Sequence, residues 1–319
     1  MGIAVLGTGG IVRRSFVPAV KANADARLVA VLSRSQPQAT AFAAEFGIPE
    51  AYDDLGKLLA SPSVHAVIVA TPDALHESQV RQAAAAGVHI LCEKPMTTTA
   101  AGCHRIREAV SRAGVTFAMG YSLRFLNSLG RIREILMAGT LGPVRFARAL
   151  WPSRMAAAQE TWRVDPELAG YWAMSRVGTH LVDLFRWYFG DPVDVKASMA
   201  TPRDGGLNDE LTTLLFRFPG GLLAEITVTV LFATGNGLEI HGDAGHLAGQ
   251  NVFRYARDVS PISVNGQPLS YEPNDPFTDE VADFVGAITR GRSPRAGLED
   301  GVRNVEIMER ARQSAGRSR

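Results

Sequence analysis

The run "IAVLGTGGIV", residues 3–12, decides the fold. Ile3 to Leu6 are apolar without alternation, the pattern of a strand buried on both faces, and Gly7 stops the run at once. Gly7 and Gly9 fill the first two positions of G-x-G-x-x-G, while Val12 stands in the third. Such glycines let a chain turn tightly and bring backbone N–H groups against a pyrophosphate at a helix N-terminus. The spacing therefore predicts dinucleotide contacts at Gly7, Thr8, Gly9, Gly10 and Ile11. Val12 in place of glycine predicts looser helix-to-strand packing or a displaced helix, without loss of the phosphate site.

Further apolar runs follow at "LVAVL" (28–32), "AVIVAT" (66–71), "HILC" (89–92) and "TFAMGY" (116–121), separated by Ala-rich helical patterns such as "ALHESQVRQAAAAG". Buried runs joined by helices describe a parallel sheet covered on both sides, so residues 1–121 are expected to form a doubly wound Rossmann domain. Beyond Tyr121 the pattern changes. One helix (about 127–139) leads to "GPVRFARALW", a helical stretch covers 178–189, and strands follow from 193 to about 256. Across 222–232, Leu222, Ala224, Ile226, Val228, Val230 and Phe232 alternate with Glu225, Thr227 and Thr229, as in a sheet with one apolar and one polar face. Residues 122–319 are expected to form a substrate-binding α+β domain with a large, mainly antiparallel open sheet. Its final helix is expected to pack back toward the first domain.

At 319 residues the chain has room for two domains, each with its own core. With 33 basic against 32 acidic residues, no overall field draws it to nucleic acid or an anionic membrane. No apolar run approaches the length of a membrane span, and a start close to the first strand leaves no room for a signal peptide. The two cysteines, Cys92 and Cys103, lack metal-ligand spacing. We expect a cytoplasmic protein without a structural disulfide, and no metal site, since His65, His89 and His104 are scattered. His241, in "LEIHGDAG", is expected in a core or turn role.

Ligands of open α/β sheets lie outside the carboxyl ends of the strands, so the residues there carry the chemistry. At the end of the second strand "VLSRS" places Ser33 and Arg34, where a carboxylate would bind a ribose 2′-hydroxyl. Arginine beside a hydroxyl suits a 2′-phosphate, which favours NADP(H) over NAD(H). Thr71, Pro72 and His76 in "ATPDALH", with Glu93 and Lys94 in "CEKP", end strands at the same crevice. Pro95 keeps Lys94 out of the helical region and so directs its ammonium, which can bind a reacting oxygen or move its proton. Arg13 and Arg14 follow the glycine loop, and one of two adjacent helical residues normally faces water.

In order, "GTGGI", "VIVATPDALH", "HILCEKPMT", "MGYSLRF", "TWRVDPELAG", "GTHLVDL" and "LEIHGDAG" resemble the glucose-fructose oxidoreductase, inositol dehydrogenase and rhizopine-catabolism (Gfo/Idh/MocA) family over essentially the whole chain. The resemblance implies a Rossmann domain followed by an α/β domain whose open sheet commonly serves as a subunit interface, hence a homodimer or homotetramer. It implies that Lys94 and His180 face the nicotinamide, that Trp162 and Arg163 reach the cofactor, and that Tyr121, Tyr171, Trp172, Arg176 and Asp183 fall in the substrate pocket. In D-x-G-x-H the family usually has an Asp four residues before the His, where this chain has Arg176. The stretch before it, usually glycine-rich, here carries Tyr171 and Trp172.

An arginine there disfavours the charged forms of His180 and Lys94 and can only donate hydrogen bonds, leaving acid-base work to those two residues. It also invites an anionic group on the substrate, unless it turns away to a carboxylate such as Glu167. Asp183 either orients the imidazole or serves as a capping or ion-pair residue. The expected activity is hydride transfer to or from a carbinol or ketone carbon of a sugar, polyol or sugar-acid derivative, with Lys94 as general acid-base and His180 as second donor. Two rivals remain: NAD-dependent glycoside cleavage without net redox change, and a non-catalytic NADP(H) sensor.

Overall fold

The computed structural model describes residues 1–155, 162–203, 206–253 and 261–316. The chain divides into two compact units, Met1–Tyr121 with Phe277–Val302, and Ser122–Pro276 with Arg303–Arg319. The Rossmann unit thus includes a return segment that a single cut after residue 121 leaves out.

Strands β1 (Gly2–Leu6), β2 (Arg27–Leu32), β3 (Glu50–Tyr52), β4 (Ala66–Val69), β5 (His89–Glu93) and β6 (Phe117–Gly120) form one sheet in the order β3-β2-β1-β4-β5-β6. Every pair is parallel. Helices α1 (Val17–Ala22), α2 (Gln36–Phe46), α3 (Leu55–Leu59), α4 (Asp73–Ala85) and α5 (Ala100–Ala113) connect them. The central strands β1 and β4 are buried throughout, which is why their sequences show no polar alternation. Each large aliphatic side chain buried there contributes about 1.5–3 kcal/mol.

Two features depart from expectation. Strand β3 has no counterpart among the apolar runs; its Glu50 carboxylate accepts hydrogen bonds from Tyr52 (2.5 Å), Ser61 (2.8 Å) and Ser63 (2.7 Å), which hold it below the usual carboxylate range. The helix after the glycine turn opens with a π turn, Val12–Phe16, and Val12 is fully buried in the core. Valine is therefore accommodated by a local change of helical pitch, not by looser packing.

In the second unit, β7 (Val144–Pro152), β8 (Asp194–Ala200), β9 (Leu211–Arg217), β10 (Leu223–Thr229), β11 (Gly237–Gly242), β12 (Gly245–Gln250), β13 (Ile262–Val264) and β14 (Gln267–Pro268) order as β14-β13-β12-β11-β7-β10-β9-β8. Only the β7–β10 pair is parallel, so the sheet is mainly antiparallel. One face carries Ala147, Ala149, Leu214, Phe216, Ile226, Val228, Leu238 and Ile240 into a core shared with α6 (Asn127–Met137) and α8 (Thr179–Phe189). Short α7 (Pro166–Ala169) precedes α8, while α9 (Pro276–Arg290) and α10 (Leu298–Ala315) close the fold. From α9, Phe277, Val281 and Phe284 join the Rossmann core, with Phe277 edge-on to Phe16 at 5.6 Å.

The alternation read across 222–232 holds from Leu222 to Val228 and fails at its C-terminal end. Phe232 lies beyond β10 and is 43% exposed, while Thr229 is buried and donates to the Glu210 carbonyl at 2.9 Å. His241 is an exposed β11 residue stacked on His246, not a core or turn residue, because its strand position points it away from the apolar face. The strand region read to about 256 ends outside the described residues.

Candidate active site

In the first unit the sequence-predicted residues gather along the carboxyl edge of the parallel sheet. The strand order reverses between β1 and β4, the switch point where a dinucleotide crevice opens. Gly7 closes β1 with φ +107°, and a Cβ there would stand 2.7 Å from the Ala70 carbonyl oxygen at the end of β4. Only glycine fits. Gly9 instead faces open space, with nothing within 4 Å of the position its Cβ would take. A tight turn followed by an unobstructed backbone at a helix start fits a dinucleotide pyrophosphate.

Ser33 ends β2 beside Thr8, hydroxyl to hydroxyl at 3.4 Å, and donates to Gln38 at 2.9 Å. The next residue, Arg34, is exposed. Arg13 and Arg14 diverge: Arg13 pairs with Glu45 and lies over Phe42 at 4.7 Å, while the Arg14 guanidinium folds back over Gly10.

At the ends of β4 and β5, Thr71 donates to Gln79 at 2.6 Å. His76 is fully buried with Nε2 3.0 Å from the Thr71 carbonyl and Nδ1 2.9 Å from the Pro95 carbonyl. Burial pushes its pKa down, and the ring lies between the Thr71–Pro72 loop and the Lys94–Pro95 turn; in its neutral form it donates to one of the two carbonyls. Both ring nitrogens of His76 therefore face protein carbonyls. Glu93 folds back to accept from the Lys94 amide at 3.0 Å, and Lys94 itself is half-buried. Tyr121, expected at the substrate, is a fully buried side chain. Cys92 and Cys103 are both buried, and burial pushes the Cys92 thiol pKa up. Among the described residues no cluster of His, Cys, Asp or Glu is arranged to hold a metal ion, and no helix is long and apolar enough to cross a membrane.

In the second unit, His180 sits in the first turn of α8, directly after a π turn at Met174–Gly178 that carries Arg176. Residues four apart share a helix face, and the end of β7 packs on that face. The Trp151 ring stacks on the His180 imidazole at 5.9 Å, and Ser153 accepts from Arg176 Nε at 3.2 Å.

Buried polar clamps fix the backbone around His180. Asp209 accepts from the amides of Trp172 (2.6 Å) and Met174 (3.0 Å) and from the Thr212 hydroxyl (2.8 Å). Burial pushes its pKa up to about 6 against the pull of those donors. Asn304 on α10 binds Thr179 twice, accepting from its hydroxyl at 3.0 Å and donating to its carbonyl at 2.9 Å. Asp183 receives Arg124 through two bonds, Nε to Oδ2 at 2.8 Å and Nη2 to Oδ1 at 2.6 Å, with side-chain exposures of 0% and 5%. Of the two roles open to Asp183, ion pairing is the one this geometry supports, and its side chain is fully buried. Tyr171 and Trp172 are likewise core residues: Tyr171 donates to the Met308 carbonyl at 3.2 Å, and burial pushes its hydroxyl up to about 12. Arg163 lies over the Trp162 ring at 4.4 Å; Thr161, the first residue of their motif, lies outside the described residues.

Sequence reasoning missed Arg124, Trp151, Asp209 and Asn304. Only "NDE" at 208–210, a polar cluster between strands, offered a signal.

A reversed strand order, a glycine turn on β1 and a lysine ending β5 on the same edge define a dinucleotide-dependent oxidoreductase. Comparison with known proteins narrows the class. Residues 1–121 match the oxidoreductase family with an NAD-binding Rossmann fold, and residues 129–248 match the Gfo/Idh/MocA C-terminal domain. The chain belongs to the Gfo/Idh/MocA family. It is 31% identical to D-xylose 1-dehydrogenase (NADP(+)) 2 of Haloferax volcanii, covering 99% of this chain and 97% of that one. It is 29% identical to 1,5-anhydro-D-fructose reductase of Ensifer adhaerens, over 93% and 91% of the two chains. The crystal structure of aldose-aldose oxidoreductase from Caulobacter crescentus complexed with glycerol superposes with a TM-score of 0.92 at 26% identity, covering 100% of this chain and 98% of that one.

Proposed function

We infer that this enzyme is an NADP(H)-dependent dehydrogenase or reductase acting on a carbinol or ketone carbon of a sugar or polyol derivative. The observation that carries the reading is Lys94 at the carboxyl end of β5, half-buried on the edge that also holds the Gly7 turn. Likeness along nearly the full length to an NADP(+)-dependent D-xylose dehydrogenase supports both cofactor and substrate class.

Gly7, Thr8, Gly9, Gly10 and Ile11 hold the pyrophosphate, while Ser33 and Arg34 meet the 2′-phosphate. Trp162 and Arg163 add cofactor contacts from the second unit. The nicotinamide supplies or accepts the hydride. In the oxidative direction the neutral Lys94 amine takes the substrate hydroxyl proton and becomes an ammonium; in reduction the ammonium returns it. His180 is the second donor to the same oxygen, and Arg176 binds acceptor oxygens of the substrate.

The test is K94M, assayed by nicotinamide absorbance with D-xylose and NADP+, 1,5-anhydro-D-fructose and NADPH, and a panel of further aldoses, sugar acids and polyols. Removing general acid-base catalysis lowers kcat by about a hundredfold to ten-thousandfold, while NADP+ affinity changes little. Near-normal turnover by K94M on any substrate the parent enzyme uses refutes the assignment.

We also infer self-association through the open sheet face. Phe146 and Leu223 are directly paired there, and Leu215 is 56% exposed across from Glu225, with an Arg148–Glu239 ion pair (3.2 Å) between β7 and β11 and an Arg145–Asp243 pair (2.6 Å) from β7 to the β11–β12 turn. An exposed apolar strip bordered by charge supports a contact with a second copy. Sedimentation of the parent and L215E proteins checks it: a dimer or tetramer that becomes a monomer is expected, and a monomeric parent refutes it.

A further inference from the structure

The backbone bearing His180 is held on three sides by the Asp209, Asn304 and Arg124–Asp183 bonds. The imidazole's own torsion is a broad and roughly two-fold rotor that neighbouring side chains restrict. The Trp151 indole is one such neighbour. Its ring lies 5.9 Å from the imidazole centroid with 28° between planes, and it stacks in turn on Phe253 at 5.1 Å and 25°. These values fall in the range of favourable aromatic stacking, with the indole presenting its face to the imidazole.

The platform is rigid for reasons of topology. Trp151 stands on β7, an interior strand paired with β11 on one side and β10 on the other, directly beside Val228. Trp151 and Ser153 are two residues apart at the end of β7, and their partners His180 and Arg176 are four apart across the π turn and the start of α8. Two rungs, Trp151 to His180 and Ser153 to Arg176, therefore lock the strand end and the helix start in one register.

We propose that Trp151 is a positioning residue, whose indole face holds the His180 imidazole in the orientation in which it serves the reaction. The inference rests on His180 acting at the substrate, as proposed above. Trp151 acts through His180 and has no step of its own, so its effect disappears when His180 is gone.

The experiment is a double-mutant cycle on kcat with W151L, W151F, H180N and W151L/H180N, using the substrate found in the panel above, together with NADP+ affinity and the imidazole proton resonances. Misplacing a reacting group by about an ångström costs on the order of a hundredfold. W151L is expected to lower kcat by about tenfold to a hundredfold at unchanged NADP+ affinity. W151F restores most of the loss because it keeps a stacking face, and W151L adds no loss in the H180N background. In the parent, one imidazole resonance is displaced to high field by the indole ring current, and it moves back in W151L. Full turnover by W151L with H180N inactive overturns the positioning role alone, as does an equal loss from W151L with and without His180. An H180N enzyme that turns over normally overturns the reading of the site, and the inference with it; unchanged NADP+ affinity shows that each variant is folded.

Discussion

The Arg124–Asp183 pair permits a quantitative test. Both side chains are almost wholly buried and joined by two short bonds, one helical turn from His180. Removing one partner leaves the other charge buried without compensation, which typically costs about 3–5 kcal/mol. Replacing both by apolar groups of similar volume is often close to neutral. D183L should therefore destabilise the second unit by about 3–5 kcal/mol, and R124M/D183L should recover most of that loss. For a domain of this size, each kcal/mol moves the melting temperature by about 2–4 °C, so the single variant should melt on the order of 10 °C lower. Differential scanning calorimetry and urea titration supply the stabilities, and kcat is measured beside them. If the single loss is below about 1 kcal/mol, or the double variant loses the sum of the two singles, the pair is not the clamp described. A double variant that is stable yet inactive would return Asp183 to the imidazole-orienting role, because ion pairing alone predicts that fold and turnover recover together.

Other consequences can be measured independently. The pKa of Asp209, raised from 3.8 to about 6, means that the folded protein binds this proton more tightly than the unfolded chain does. That contribution is fully present below pH 3.8 and is lost as pH rises through about 6; it amounts to about 3 kcal/mol. Urea titrations at pH 7 and 4.5 should therefore show the stability of the parent relative to D209N rising toward acid; a pH-independent difference refutes this. R34A should weaken NADP+ binding by about tenfold to a hundredfold, the worth of a hydrogen-bonded charge on phosphate, and leave NAD+ binding nearly unchanged; equal effects on both would remove Arg34 from the 2′-phosphate. G7A places a methyl group at φ +107° and 2.7 Å from the Ala70 oxygen, so it should weaken both cofactors and lower the melting temperature of the first unit; parent-like binding of both cofactors would refute it.

How much of the fold was legible depends on where its stabilisation comes from. Strands β1, β4 and β5 are apolar because both their faces are covered, so burial wrote itself into consecutive residues. Strand β3 was missed for the converse reason. It is three residues long and half-buried at the sheet edge, and what holds its Glu50 is a set of hydroxyls from Tyr52, Ser61 and Ser63, which leave no hydrophobic period. The π turn at Val12 was half legible: the missing third glycine announced looser packing or a displaced helix, and the change of pitch that accompanies the buried valine was not foreseen. The return of Phe277–Val302 to the first unit was illegible from order alone. An amphipathic helix shows that it has an apolar face, not which core receives it.

The same distinction separates the residues expected to do chemistry from those that hold them. Lys94, Ser33 and Gly7 could be read because each stands where an apolar run ends, and a charge or a glycine at that place has few structural reasons to be there. The supports of His180 have no such local mark. Asp209 acts on Trp172 across 37 residues, Arg124 on Asp183 across 59, and Asn304 on Thr179 across 125. An aspartate, arginine or asparagine is ordinary in composition and acquires its role only when the chain brings its partner within hydrogen-bonding distance. Tyr171 and Trp172 show a related limit: they stand in a stretch usually rich in glycine, and nothing local to that stretch marks them as part of the second unit's core. A motif read along the chain therefore names the groups aimed outward from strand ends. The groups that aim them are defined by distance in space, and only the folded chain displays it.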